Sequence, residues 1–233
     1  SSISYSKTFS GEPQVNLSLS ATHSQNTNTQ IINMTLPSFQ GSVSRIFPFA
    51  PKSGSKKGVL QNINLQYSVR GENRIQTTDS LFFSKEMFDS AISGFQHNIP
   101  LGTNFKIFKY LSLSTNANVN STMVFNTVEK NYNIENQEVI ITEKKGFDYF
   151  NTYNFSASLG TTVYGMYDFG KDKSLQALRH VMRPSINYSI SPGFNQYYDT
   201  YEVVSADGLT SSEVEYSRFE GSIFGQPNKM YSS

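Results

Sequence analysis

Cysteine and tryptophan are both absent from this chain of 233 residues. Without cysteine there is neither a disulfide framework nor a thiolate metal site. No apolar run approaches the roughly 18 residues of a helical membrane span, which excludes a helical membrane protein. Charge of one sign is lacking too: 19 basic residues stand against 18 acidic ones, which makes no case for nucleic acid as a partner. Hydrophobic residues make up only 37%, low for an ordinary core. A membrane barrel escapes that objection, because its strands dilute apolar residues one for one with polar ones. The aromatic pool is 14 Tyr and 18 Phe, and Tyr serves as an interface anchor. The chain starts at Ser1 with no Met and no signal peptide, which predicts an internal piece of a longer protein.

The clearest pattern present runs from Leu111 to Thr127. Odd positions carry Leu111, Leu113, Ala117, Val119, Met123 and Phe125, while even positions carry Ser112, Ser114, Asn116, Asn118, Asn120, Thr122 and Asn126. Val124 is the one apolar intruder on the even side. A period of two means an extended strand whose faces meet different solvents. Strands of globular proteins usually stop at about ten residues. At roughly 3.3 Å per residue this one reaches about 50 Å, and a tilted membrane strand needs only about 9–11 residues. The expectation is a barrel strand with an apolar face to lipid and an Asn/Ser face to a wet interior.

The same alternation recurs along the chain. It predicts strands around Ile3–Phe9, Val15–Ala21, Gln30–Leu36, Ile63–Val69, Ala91–Leu101, Tyr149–Val163 and Met182–Ile190. In the return strand Tyr153, Phe155 and Leu159 oppose Asn154, Ser156 and Ser158. Pro37 is expected to stop its strand, since proline cannot donate to a ladder. Long loops are expected near 37–59, 129–148 and 192–216, with Val139-Ile140-Ile141 as an alternative prolongation of the hairpin in the second, a short turn at 100–109, and a turn holding one helical turn around Leu175 and Leu178. The fold class is therefore all-β, an antiparallel up-and-down portion of about eight to ten strands within one larger outer-membrane barrel domain spanning 1–233. In such a sheet the connections 102–109 and 165–178 share a side, and both are flanked by aromatics, as an interface girdle requires: Phe105, Phe108 and Tyr110, then Tyr164, Tyr167 and Phe169.

The stretch Arg179-His180-Val181-Met182-Arg183-Pro184-Ser185-Ile186-Asn187-Tyr188-Ser189-Ile190-Ser191-Pro192-Gly193-Phe194 resembles the barrel of the LptD lipopolysaccharide-assembly family, most closely its Bacteroidetes-type branch. Arg179, His180, Pro184, Ser185, Tyr188, Pro192 and Phe194 carry the likeness. His23-Ser24-Gln25-Asn26 with Thr35-Leu36-Pro37, Arg45-Ile46-Phe47-Pro48-Phe49, and Tyr216-Ser217-Arg218-Phe219 with Phe224-Gly225-Gln226-Pro227 are similar to the same branch, in the same order. The resemblance implies a barrel of about 26 strands that moves lipopolysaccharide to the outer leaflet of the Gram-negative outer membrane. It also implies a periplasmic jelly roll, a plug lipoprotein in the lumen and periplasmic bridge proteins as partners. This chain would supply a middle portion. The disulfide-forming cysteines of the proteobacterial branch are missing here.

No catalytic, metal or cofactor site is expected. His23, His97 and His180 lie far apart with no second ligand at metal spacing, and turn or interface positions are the default for them. His23 and Ser24 are adjacent, so on a strand they point to opposite faces, which does not suit a base and its nucleophile. Lys52/Lys56/Lys57, Lys144/Lys145 and Lys171/Lys173 read as solvated loops, with anionic headgroups as the alternative. Arg45 and Arg183, within or beside strands, are candidate contacts to lipid phosphate, since guanidinium binds phosphate bidentately; an ion pair inside the lumen is the other reading. The function expected is non-enzymatic transport of lipopolysaccharide, with outer-membrane lipids around the barrel. The alternatives are another outer-membrane channel or receptor barrel, or a soluble β-rich binding module whose apolar face packs against a second sheet.

Overall fold

The computed structural model describes residues 1–56, 58–108, 110–170, 175–205 and 210–231. Eight antiparallel strands form one open sheet in the order β1 (Ser2–Phe9), β2 (Val15–Asn26), β3 (Ile31–Ile46), β4 (Asn64–Thr78), β5 (Ile92–Ile107), β6 (Leu111–Asn133), β7 (Glu138–Gly160) and β10 (Ser185–Ile190). Sequential neighbours pair from β1 to β7, up and down, as the alternation predicts, and β10 then pairs β7 directly, past a segment that forms a hairpin of its own. Two hairpins complete the fold: β8 (Val163–Asp168) with β9 (Ala177–Met182), and β11 (Tyr198–Val204) with β12 (Ser211–Ser217). Among the described residues the one α-helix, α1 (Lys85–Asp89), lies between β4 and β5. Among the described residues no helix is long and apolar enough to cross a membrane.

Two hairpin turns at the same end of the sheet share one local cause. Asn26 Oδ1 accepts from the backbone N–H of Asn28 at 3.0 Å, and Asn133 Oδ1 accepts from that of Glu135 at 2.9 Å. Four residues after each Asn stands a Gln in the left-handed region, Gln30 (φ 56°) and Gln137 (φ 55°). Asparagine side chains that imitate a backbone turn in this way reverse the chain without glycine.

Several expected loops are strands instead. β3 runs through Pro37 because a bulge sits there: the register with β4 jumps from Thr35–Arg74 to Ser38–Glu72, and a bulge leaves a residue that needs no ladder donor. The loop expected over 37–59 therefore begins only after Ile46. β5 likewise runs through Pro100, around which the β4 register passes from Leu65–Leu101 to Ser68–Asn98, so the turn expected at 100–109 shrinks to the residues around Phe108, with Lys109 outside the described residues. The loop expected over 129–148 is mostly an extension of the β6–β7 hairpin. Leu178 lies in β9 rather than in a helical turn, and 192–216 contains the β11–β12 hairpin.

Register settles the two faces. Leu113 lies opposite Leu159, Ala117 opposite Phe155, and Val119 opposite Tyr153. Continuing on the same face, Phe95 lies opposite Met123, and Leu19 opposite both Tyr5 and Phe39. Among the described residues no second sheet covers this apolar face: Tyr5 is 66% exposed, Ile186 74% and Phe155 41%, while Leu113, Val119 and Leu159 are half-buried. The packing of a β-sandwich is thus missing. Among the described residues the buried side chains gather mainly in two small clusters, one beneath α1 (Ile32, Met34, Ile75, Met87) and one on the polar face (Val124, Phe150, Phe219).

Candidate functional site

The polar face of β5–β7 carries the residues that alternation singles out. Ser114 lies opposite Ser158, Asn116 opposite Ser156, Asn118 opposite Asn154, and Asn120 opposite Thr152; Ser112 and Thr122 sit at the two ends of this series. A hydrogen-bonded network ties the middle together. Asn98 Nδ2 donates to Asn118 Oδ1 at 3.0 Å and to Asn120 Oδ1 at 2.7 Å. Gln96 Nε2 donates to Thr122 Oγ1 at 3.1 Å, and Arg70 Nε donates to Gln96 Oε1 at 3.1 Å. At the β10 edge Ser158 Oγ donates to Asn187 Oδ1 at 2.5 Å. Each of these hydrogen-bonding groups is uncharged except Arg70, so the network joins neutral donors and acceptors to one guanidinium, and Lys106 adds a charge at the Ser112 end of the face. Arg70, Gln96 and Asn98 were not among the expected site residues. Gln96 and Asn98 alternate with Phe95, His97 and Ile99 in the sequence, the same signal that marks the polar stripe of β6.

Chain beyond β10 folds back onto this polar face. Phe219 is fully buried, its ring centroid 4.7 Å from that of Phe150 and 5.7 Å from that of Tyr197. Tyr197 replaces a missing strand neighbour: β10 pairs β7 only from Phe155 upward, and the Asn151 backbone N–H donates to the Tyr197 hydroxyl at 3.0 Å. Beyond the end of the β5–β6 ladder at Val124, the Val128 N–H donates to the Arg218 carbonyl at 2.9 Å, and the Arg218 guanidinium is paired with Asp148 at 3.2 Å. The guanidinium of Arg70 stacks 4.5 Å from the centroid of Phe224. Gly193 allows the two arms of this fold-back to meet: a Cβ there would run into the Lys229 carbonyl, and the next residue, Phe194, donates its N–H to the Asn228 carbonyl at 2.8 Å. Tyr198 donates its hydroxyl to the Pro227 carbonyl at 2.7 Å, and burial pushes its phenol above the usual value. A recess of about 300 Å³ remains between the fold-back and the sheet, lined by Asn120, Thr122, Thr152, Asn154, Phe194 and Asn228 among others.

The residues that carried the family likeness divide between two places. Arg179 and His180 lie in the projecting β8–β9 hairpin, where Arg179 stacks 4.8 Å from the Tyr164 ring and His180 faces Gly165. Pro184 accepts at its carbonyl from the Thr161 N–H at 3.1 Å, and Ser185 opens β10 opposite Gly160. Tyr188 lies opposite Ala157 on the apolar face, and Phe194, just past Pro192, is 3% exposed and packs edge-on to Tyr153 at 5.5 Å. Arg183 is exposed and lines an open recess of about 550 Å³ with Lys106, Tyr110, Thr161, Thr162 and Tyr164. Arg45 lines a different recess beside Glu12 and Phe47. Among the described residues neither Arg45 nor Arg183 forms an ion pair.

The histidines stand apart. His97 is mid-strand in β5 rather than in a turn, and His23 lies in β2 opposite Met34. Among the described residues no three His, Asp or Glu side chains converge as metal ligands would. Of the lysine clusters, Lys144 pairs with Glu129 and Lys145 with Asp89; both lie on β7 rather than in a loop. Lys57, Lys171 and Lys173 lie outside the described residues.

No curated protein and no solved structure matches this chain. A family model does: the one described as LptD protein matches residues 1–233. With an up-and-down sheet that is apolar and uncovered on one face and hydrogen-bonded on the other, and with that match along its whole length, the chain belongs to the LptD protein family, outer-membrane proteins of Gram-negative bacteria that act in lipopolysaccharide transport.

Proposed function

We propose that these strands form part of the wall of a non-enzymatic outer-membrane translocon, with the Asn/Ser/Thr face lining the path of lipopolysaccharide and the apolar face against lipid. The observation that carries this reading is the Asn98–Asn118–Asn120 network on the face opposite Val119 and Phe155. Neutral amides and hydroxyls keep a lumen hydrated and exchange hydrogen bonds with a passing sugar at little net cost. The fold-back from Ser191 to Tyr231 narrows that path from within, and the Ser112-side end stays open beside Lys106 and Arg183. Arg183, and at a separate recess Arg45, are suited to lipid phosphate because each is exposed with its charge unspent. A plug lipoprotein in the lumen, periplasmic bridge proteins, and membership of the Bacteroidetes-type branch belong to the same reading.

Replacing Asn116, Asn118 and Asn120 together by Leu tests it. Those substitutions are expected to impair barrel assembly or lipopolysaccharide passage in the full-length protein. Unchanged assembly, envelope integrity and surface lipopolysaccharide would show that the face is not a lumen.

A further inference from the structure

The connection between β4 and β5 carries an unusual group of side chains. Over Leu81-Phe82-Phe83-Ser84-Lys85-Glu86-Met87-Phe88, Leu81 is 42% exposed, Phe82 40%, Phe83 73% and Phe88 57%, whereas Met87 is 3% exposed. Met87 is the fastener. It is buried against Ile32, Met34 and Ile75, and its sulfur accepts the Phe83 N–H at 3.4 Å. Ser84 caps α1, its Oγ accepting from the Met87 N–H at 3.3 Å. Phe83 itself has φ 62°, a left-handed backbone that a bulky side chain rarely adopts. That turn throws the Phe83 ring off the segment while Met87 points down into the sheet.

The face beneath Met87 identifies the medium. The bulge at Leu36-Pro37 keeps Met34 in register opposite His23 and Ile75, five residues before Phe39 on the other side of the bulge, so Ile32, Met34 and Ile75 continue the apolar face of Phe39, Phe95 and Met123. Phe95, Phe125, Phe147 and Tyr149 form an unbroken file of rings at this end, with centroids 6.4, 6.0 and 6.3 Å apart. Ile75 lies four residues along β4 from Gly71, the partner of Phe95, which takes the segment just past that aromatic file. Aromatic girdles mark the membrane–water boundary. The exposed group comprises four side chains, far below the 20–30 residues a stable protein interface engages per side, whereas a few rings suffice to wedge into a headgroup layer. Its polar members, Lys85, Glu86 and Asp89, are exposed, and Lys145 ties Asp89 back to β7 at 2.9 Å.

We infer that residues 81–88 form an interfacial membrane anchor, a short wedge laid on the lipid side of the barrel at one rim, with Phe82, Phe83 and Phe88 entering the headgroup zone. The inference rests on the apolar face being the lipid face. Because the chain has no tryptophan, substituted indoles report on these positions as emission added over the parent protein. Phe83→Trp and, separately, Phe88→Trp are introduced into the full-length protein in vesicles of phosphatidylcholine brominated either near the headgroup or near the chain terminus. Phe155→Trp serves as the reporter of the barrel's outer face. Both segment variants are expected to be quenched about twofold more strongly by shallow than by deep bromines, since interfacial side chains lie about 5–10 Å into the headgroup boundary. Phe155→Trp is expected to be quenched at both depths. Quenching of Phe155→Trp with none for Phe83→Trp and Phe88→Trp overturns the anchor and leaves the lipid-face reading standing. Absence of quenching at all three overturns both.

Discussion

The hydroxyl of Tyr67 lies 2.7 Å from Nδ1 of His97, with the two rings stacked 5.9 Å apart. Both residues sit on the apolar face, Tyr67 opposite Val43 and His97 opposite Ser121. Two polar groups on an otherwise apolar face satisfy each other across β4 and β5, which is the economical way to hold them where water is scarce.

Tyr67→Phe is therefore expected to destabilise the folded barrel by about 0.5–2 kcal/mol by leaving His97 without its partner. Adding His97→Leu should recover most of that loss. Urea titration in detergent micelles, comparing the two single variants with the double, reads the coupling. Independent, additive effects would show that the pair does not interact.

Phe219→Ala removes a fully buried ring from between Phe150 and Tyr197. The expected cost is about 3–5 kcal/mol, borne by docking of the fold-back and not by the β1–β7 ladder. Limited proteolysis should cut the segment between Asn195 and Ser205 at least about a hundredfold faster, while the strands retain their amide protection. Equal loss of protection throughout the sheet would mean that the fold-back and the wall unfold as one unit.

Gly193→Ala is expected to disturb the same fold-back from its backbone side. Its new Cβ meets the Lys229 carbonyl, so the Phe194–Asn228 hydrogen bond must lengthen or break. Gly146→Ala, where a Cβ meets open space, is the matched control and should leave proteolysis unchanged.

The tether of α1 to β7 depends on pH. Lys145, by its hydrogen bond and its charge, holds the Asp89 carboxyl below its ordinary value of 3.8. A carboxyl with a depressed folded-state value contributes stability that is present above the unfolded value and is lost as pH falls through the folded one. Hydrogen exchange over residues 85–91 should thus be steady near neutral pH and accelerate, after correction for intrinsic rates, below about pH 4. Asp89→Asn should remove that acid dependence. An identical acid profile in Asp89→Asn would assign the transition to another group.

Side-chain direction along an extended backbone is a local property, which is why the nine polar candidates from Ser112 to Ser158 and the apolar set from Leu111 to Leu159 could be sorted from composition by position alone. Turn chemistry is local as well, and the Asn26 and Asn133 turns follow from it. What lay beyond the sequence depends on neighbours distant along the chain. Whether Pro37 ends a strand depends on a bulge that only the register with β4 creates, and Pro100 is tolerated where the β4 ladder is interrupted. Phe219 reads in the sequence as one aromatic among many. It becomes a core residue only when the chain after β10 turns back across the face holding Phe150, 69 residues earlier by number. Alternation alone determined that the sheet has two unlike faces. Tertiary packing decided how much of the polar one remains open, because covering it requires contacts that no local rule specifies.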